Sequence, residues 1–157
     1  MSPMQTASVE EASLILRLYE LRRDDRMREA RDFMFRQYSA ESIEEHRALC
    51  PPGSKNDASF RMVVSYWEMA CSFVIAGILN EELLVKNNGE LMLVWARIEK
   101  IVPTIRQFLK EPTMWNSLEL VAKSGIEAMN RTSPGAWETR LQTIWKPNRA
   151  SVAAVAN

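Results

Sequence analysis

Cysteine, histidine and glycine are all scarce in this chain of 157 residues. A secreted domain held by disulfides normally carries more cysteines at closer spacing than Cys50 and Cys71. The N-terminus also lacks the basic start and apolar stretch of a signal peptide. We therefore expect free thiols and a cytoplasmic location. Five glycines and no internal repeat argue against a solenoid or a β fold with many turns.

No charge of one sign predominates, because twenty basic side chains balance twenty acidic ones. The chain as a whole therefore has no field that would attract nucleic acid or an anionic membrane. One basic stretch contains interspersed acids, a mixture typical of a solvated surface, and we expect no nucleic-acid partner. Its arginines are Arg22, Arg23, Arg26 and Arg28, and its acids are Asp24, Asp25 and Glu29.

Long uninterrupted hydrophobic runs are absent as well. The most apolar segment, Phe60 to Leu79, is interrupted by Arg61, Glu68 and two serines. It is therefore better explained as a buried central helix than as a transmembrane segment.

Helical periodicity is what the sequence does contain, and it predicts an all-α, single-domain bundle of about six helices. Residues 1–147 form the predicted domain, and residues 148–157 a flexible C-terminal tail. Helix starts are predicted by Ser8 with Glu11, by Asp24 and Asp25, by Ser42 with Glu45, by Asn56 and Asp57, by Pro112 with Thr113, and by Ser133 with Pro134. Asn80 is predicted either to end the central helix or to cap a short turn from Glu81 to Val85. Breaks are predicted at Pro51-Pro52-Gly53 and at Asn87-Asn88-Gly89, and Pro103 should kink or divide a helix that spans Glu90 to Lys110.

The first helix is unusually apolar and has two apolar faces. Its main stripe is Val9, Ala12, Ile15, Leu16 and Tyr19, and its second face is Leu14, Leu18 and Leu21. A helix of this kind needs two neighbours within the fold, or one neighbour and a partner chain. We expect Leu14, Leu18 and Leu21 to form an interaction surface for a homodimer or for another protein.

Several segments together resemble a known family. Three of these segments are the pair Trp67 and Glu68, the acidic turn from Asn80 to Glu82, and the helix of Trp95. Their order is similar to that in small bacterial all-helical proteins known as domain of unknown function 4760. The segment from Asp25 to Phe35 looks like the N-terminal helix of that group. The resemblance runs from about Leu16 to Gly125 and implies a helical fold, with no activity, cofactor or catalytic residue.

His46 and Cys50 are the first pair of candidate reactive residues. Four positions apart on a helix, they share a face, where an imidazole can activate a thiol or share a metal. Zinc needs two further ligands, and acyl transfer needs an oxyanion site; neither is readable from spacing. A metal-dependent hydrolase using His46 is one hypothesis, and a surface histidine beside a loop cysteine is the simpler interpretation. We predict no metal site and no cofactor.

Glu68 is the second candidate, because a carboxylate within the most apolar helix is functional, paired with a cation, or exposed on the polar edge of the helix with Arg61 and Ser65. A pocket walled by Trp67 and Trp95 with Glu68 as its polar anchor would bind a small molecule or a lipid. Alternatively, Glu68 pairs with Arg97 or Arg106 of the next long helix, and the five tryptophans, Trp145 among them, are core.

No phosphate loop, nucleophile elbow or His-Glu-x-x-His motif is present in the sequence. We therefore favour a non-catalytic interaction or scaffolding domain that self-associates. A small-molecule or lipid-binding helical domain is the alternative, followed by the hydrolase.

Overall fold

Helices are the regular elements of the computed structural model, which describes residues 6–144. The all-α class is confirmed, although nine helices lie in that span where about six were predicted. Trp145 and the predicted tail of residues 148–157 lie outside the described residues. The helices are α1 (Val9–Arg22), α2 (Asp25–Arg36), α3 (Ile43–Leu49), α4 (Lys55–Ile75), α5 (Glu81–Asn87), α6 (Glu90–Ile98), α7 (Val102–Leu109), α8 (Asn116–Thr132) and α9 (Ala136–Ile144).

Most helices begin where a local side chain caps them. The Ser8 hydroxyl accepts a hydrogen bond from the Glu11 N–H at 3.1 Å, and the Glu11 carboxylate accepts one from the Ser8 N–H at 2.6 Å. This reciprocal pair satisfies two backbone donors that the first turn leaves without partners. Asp24 and Ser42 cap α2 and α3 at the predicted positions, each through one side-chain acceptor, and Asn80 caps α5, which is one of the two roles predicted for it.

The predicted boundaries of α4 were wrong at both ends. Ser54 caps the helix in place of Asn56 or Asp57, because its hydroxyl accepts the Asp57 N–H at 3.1 Å. At the other end α4 stops at Ile75 rather than at Leu79. Gly77 has a φ of 72°, a left-handed conformation that reverses the chain and is open to glycine without strain.

Two later helix starts also differ from prediction, whereas the division at Pro103 is one of the two predicted outcomes. The predicted long helix is divided there into α6 and α7, because proline fits only the first turn of a new helix. α8 begins at Asn116 rather than at Pro112, and α9 begins at Ala136 after Gly135, whose φ is 78°.

α4 is the central helix, as predicted, and it packs most extensively against α2 and α8. Its inner face is completely buried at Val63, Val64, Trp67, Ala70 and Cys71. Burial of a large apolar side chain contributes roughly 1.5–3 kcal/mol. This helix is therefore the main source of stability in the bundle.

α1 lies antiparallel to the C-terminal half of α4. Its Leu18 carbonyl accepts a hydrogen bond from the Tyr66 hydroxyl at 2.5 Å, and its Glu11 carboxylate accepts one from the Asn80 N–H, also at 2.5 Å. The predicted interaction surface lies largely on the inner side of α1. Leu18 is only 1% exposed, and Leu14 is half-buried against the core together with Ile15 of the main stripe.

The outward side of α1 carries the other apolar stripe. Val9 is 79% exposed, Leu16 63% and Tyr19 50%. Leu21, at 46%, is the one member of the predicted interaction surface that is largely exposed. Among the described residues, no helix combines the length and the hydropathy needed to cross a bilayer.

Candidate functional site

Glu68 acts as the cap of a helix that is distant in sequence. Its carboxylate accepts hydrogen bonds from the backbone N–H groups of Ser117 at 3.2 Å and Leu118 at 2.8 Å. These are first-turn donors of α8, whose own N-cap residue, Trp115, makes no side-chain cap. A negative charge at this position also interacts favourably with the helix dipole. The carboxylate therefore has a structural role without a ligand.

The two arginines expected near Glu68 have other hydrogen bonds. Arg97 donates to the Phe35 carbonyl at 3.0 Å. Arg106 forms an ion pair with Glu119 at 2.8 Å and donates through Nε to the Met114 carbonyl. Arg106 thus stabilises the turn that leads into α8.

Trp67 and Trp95, the expected pocket walls, lie in the core. Trp67 is fully buried, and its indole N–H donates to the Glu90 carboxylate at 3.2 Å. Trp95 is 4% exposed, with the Lys123 ammonium 5.8 Å from its ring centroid. None of the four surface clefts found among the described residues is lined by Glu68, Trp67 or Trp95.

His46 and Cys50 belong to an aromatic cluster rather than to a reactive pair. His46 Nδ1 lies 2.9 Å from the Tyr38 hydroxyl, and its ring packs edge-on against Phe60. Burial lowers the pKa of His46 and raises the pKa of the Cys50 thiol to about 12. The thiolate that nucleophilic chemistry requires is therefore disfavoured.

Metal-ligating groups do not cluster elsewhere within residues 6–144. No three or more His, Cys, Asp or Glu side chains in this span are placed to hold a metal ion. The hydrolase hypothesis thus gains no ligand set from the described residues.

Glu90 organises a polar network that sequence reasoning missed. It accepts three hydrogen bonds from Arg31, at 2.9 Å, 3.1 Å and 2.6 Å, and its carboxylate lies 3.6 Å from Arg22 Nη1. With the Trp67 N–H, this carboxylate joins residues of α1, α2 and α4 to the first turn of α6. Its side chain is only 13% exposed, so these charge-assisted bonds lie in partly desolvated surroundings.

An arginine-lined cleft opens beside this network, between α1 and α2, with a volume of about 260 Å³. The acids that dilute these arginines in sequence do not line it. Asp24, for example, is occupied as the α2 cap and accepts the Met27 N–H at 3.2 Å. Arg26 is also turned away and donates to the Ser59 hydroxyl. We call this site the arginine cleft; its lining residues are Tyr19, Arg22, Arg23, Arg28 and Arg31.

A larger cleft, which we call the α8/α9 cleft, has a volume of about 490 Å³. Gly125 makes room in its floor, because a Cβ there would lie 3.0 Å from the Met92 sulfur and 3.2 Å from Val85. Two cationic side chains, Lys86 and Arg140, lie among the mainly apolar lining residues. The residues are Val85, Lys86, Gly89, Met92, Gly125, Ala128, Met129, Thr132, Ser133, Ala136 and Arg140.

Comparison with known proteins gives the family and no activity. No curated protein and no solved structure matches the chain significantly. One family model matches residues 7–124, a span that includes α1 to α7, the Glu90 network and the arginine cleft. This span is most of the chain, and the chain belongs to the family described as domain of unknown function (DUF4760).

Proposed function

We propose that this chain is a non-catalytic interaction domain that self-associates through the outward stripe of α1. The stripe consists of Val9, Ala12, Leu16 and Tyr19, all exposed on a helix whose opposite face is buried. Apolar exposure of this kind on a packed helix is typical of a binding face. It is the single observation on which the proposal rests.

The spacing of the stripe favours a second helix as its partner. Its members are separated by three, four and three residues, the alternation found at helix–helix seams. α1 has 14 residues and is therefore about 21 Å long. A contact of that length covers less than the roughly 800 Å² per partner of a standard interface. We therefore expect weak, concentration-dependent association.

Symmetry allows the partner helix to be α1 of a second copy of the same chain. In an antiparallel pair related by a two-fold axis, the stripe of each copy packs against the stripe of the other. The same patch then serves both partners.

Sedimentation velocity over a range of protein concentrations tests the proposal. We expect Leu16→Glu to shift the chain to the monomer, because it places a charge within the apolar contact. Leu16 is exposed, so the variant should still fold. Leu120→Glu is the matched control, since Leu120 is 48% exposed on α8 and should leave association unchanged. A native chain that stays monomeric at high concentration would overturn the proposal.

A second candidate function is supported by the α8/α9 cleft. Its volume of about 490 Å³ lies within the usual range for small-molecule sites, and its lining is mainly apolar with two cations, Lys86 and Arg140. The Arg140 Nε is buried and makes no hydrogen bond within residues 6–144. This lining suits an apolar molecule with one anionic group. Glu68, the anchor expected from the sequence, does not line this cleft.

Titration with a medium-chain fatty acid, decanoate, tests this second candidate. Ala128→Trp should abolish binding by filling the cleft from an exposed position, and Arg140→Gln should weaken it by removing the cation. Leu120→Trp is the control for a new tryptophan on the same helix. Equal decanoate binding by all four proteins would rule out the cleft as the site.

A further inference from the structure

We propose that the arginine cleft binds the diphosphate group of a small molecule. The site brings four guanidinium groups and one phenol ring together at the junction of α1 and α2. It is separate from the α8/α9 cleft, and the proposal does not require self-association. The reasons are the positioning of the arginines, their uncompensated charge and the size of the cleft.

Three of the four arginines, Arg22, Arg23 and Arg31, are held in place by groups of the protein. Glu90 binds Arg31 through three hydrogen bonds and attracts Arg22. The Tyr19 ring lies 5.8 Å from the Arg22 guanidinium and 5.7 Å from that of Arg23, within range of cation–π attraction. Such contacts reduce the side-chain freedom that a ligand would otherwise have to remove.

The positive charge of the cleft exceeds the negative charge beside it. Glu90 is one carboxylate against four guanidinium groups. Within residues 6–144, neither Arg23 nor Arg28 forms an ion pair, and the buried Nε of Arg22 makes no hydrogen bond. An anion that enters the cleft would pair with the exposed guanidinium groups of Arg23 and Arg28.

Phosphate oxygens suit this arrangement in geometry and in charge. The planar guanidinium fork donates two parallel hydrogen bonds to neighbouring phosphate oxygens. A phosphomonoester carries about −1.5 to −2 charges near neutral pH, so two linked phosphoryl groups suit the excess of arginine. The volume of about 260 Å³ admits a compact group. A formal net charge of zero disfavours an extended nucleic acid, which is bound by a long basic surface.

Calorimetric titration with inorganic pyrophosphate, at constant ionic strength, tests the proposal. We expect a Kd below about 1 mM for the native chain. Arg23→Gln and Arg28→Gln should each weaken binding by about tenfold, the loss expected for one charge-assisted contact. Both residues are exposed, so the variants should fold. Arg17→Gln is the matched control, because it removes the same charge from the exposed side of α1 outside the cleft.

Three results would overturn the proposal. The first is no pyrophosphate binding in the native chain. The second is an equal loss of affinity in Arg17→Gln, which would indicate attraction by general charge. The third is tighter binding of a single-stranded oligonucleotide than of pyrophosphate, which would assign the cleft to nucleic acid. Leu16→Gln, which adds no charge beside the cleft, should bind pyrophosphate normally even though Tyr19 belongs to both the stripe and the cleft, and this result separates the cleft from the proposed dimer.

Discussion

Glu68 and Leu118 are fifty positions apart in sequence, yet the carboxylate of one accepts the backbone N–H of the other at 2.8 Å. This bond gives α8 the cap that Trp115 does not provide. We predict that Glu68→Ala lowers the free energy of unfolding by about 1–2 kcal/mol, the usual cost of a lost N-cap. Urea denaturation checks the value. Glu68→Gln, which keeps an acceptor oxygen, should lose less, and an unchanged midpoint in Glu68→Ala would contradict the capping role.

Replacement of Glu90 should have a larger effect than replacement of Glu68. Glu90→Gln removes the charge that Arg22 and Arg31 share, and the side chains of Glu90 and Arg22 are both only 13% exposed. We expect a loss on the order of 2–3 kcal/mol, because the hydrogen bonds involve charged groups and the guanidiniums remain partly desolvated. Thermal and urea unfolding measure it. Glu29→Gln, at an exposed pair with Lys55, is the control and should change stability little.

We predict that His46 lowers the free energy of unfolding in mild acid. Burial is the main cause that lowers its pKa in the fold below the ordinary value of 6.5. The unfolded chain therefore binds a proton at this histidine more readily than the folded chain does. The free energy of unfolding decreases as the pH falls from 6.5 toward the lowered pKa. Unfolding free energies measured at pH 7.5 and pH 5 should differ by less in His46→Gln than in the native chain. The same difference in both proteins would exclude His46 as the cause.

The two cysteines should be unreactive until the chain unfolds. Cys50 is 3% exposed and Cys71 is fully buried, and burial raises the pKa of both thiols. A buried, protonated thiol reacts slowly with alkylating reagents. Mass spectrometry after brief iodoacetamide treatment should find no adduct on the native chain and two after unfolding in urea. Fast labelling of Cys50 in the native chain would revive the reactive-pair hypothesis.

Capping motifs made the starts of α1, α2, α3 and α5 predictable, because Ser8, Asp24, Ser42 and Asn80 act within one helical turn. The start of α8 was not predictable in this way, since part of its cap comes from another helix. A capping pattern in the sequence predicts only hydrogen bonds between residues that are close together in the chain.

The roles of the α1 faces and of the arginines depended on tertiary neighbours. Both stripes of α1 are apolar, so the pattern alone could not decide whether Leu18 or Leu16 meets α4. Acids interspersed in sequence also concealed the arginine cleft. The fold separates them, with Asp24 turned to the α2 backbone and Arg28 to the cleft.

Glu11 joins the beginnings of two helices through one carboxylate. One oxygen accepts the N–H of Ser8 at the start of α1, and the other accepts the N–H of Asn80 at the start of α5. When one of these two hydrogen bonds opens in a local fluctuation, the Glu11 side chain is free to move, and the other hydrogen bond is weakened. Amide hydrogen exchange at Ser8, close to the chain terminus, should therefore follow exchange at Asn80, and the end of the chain reports on an internal turn sixty-nine residues from Glu11.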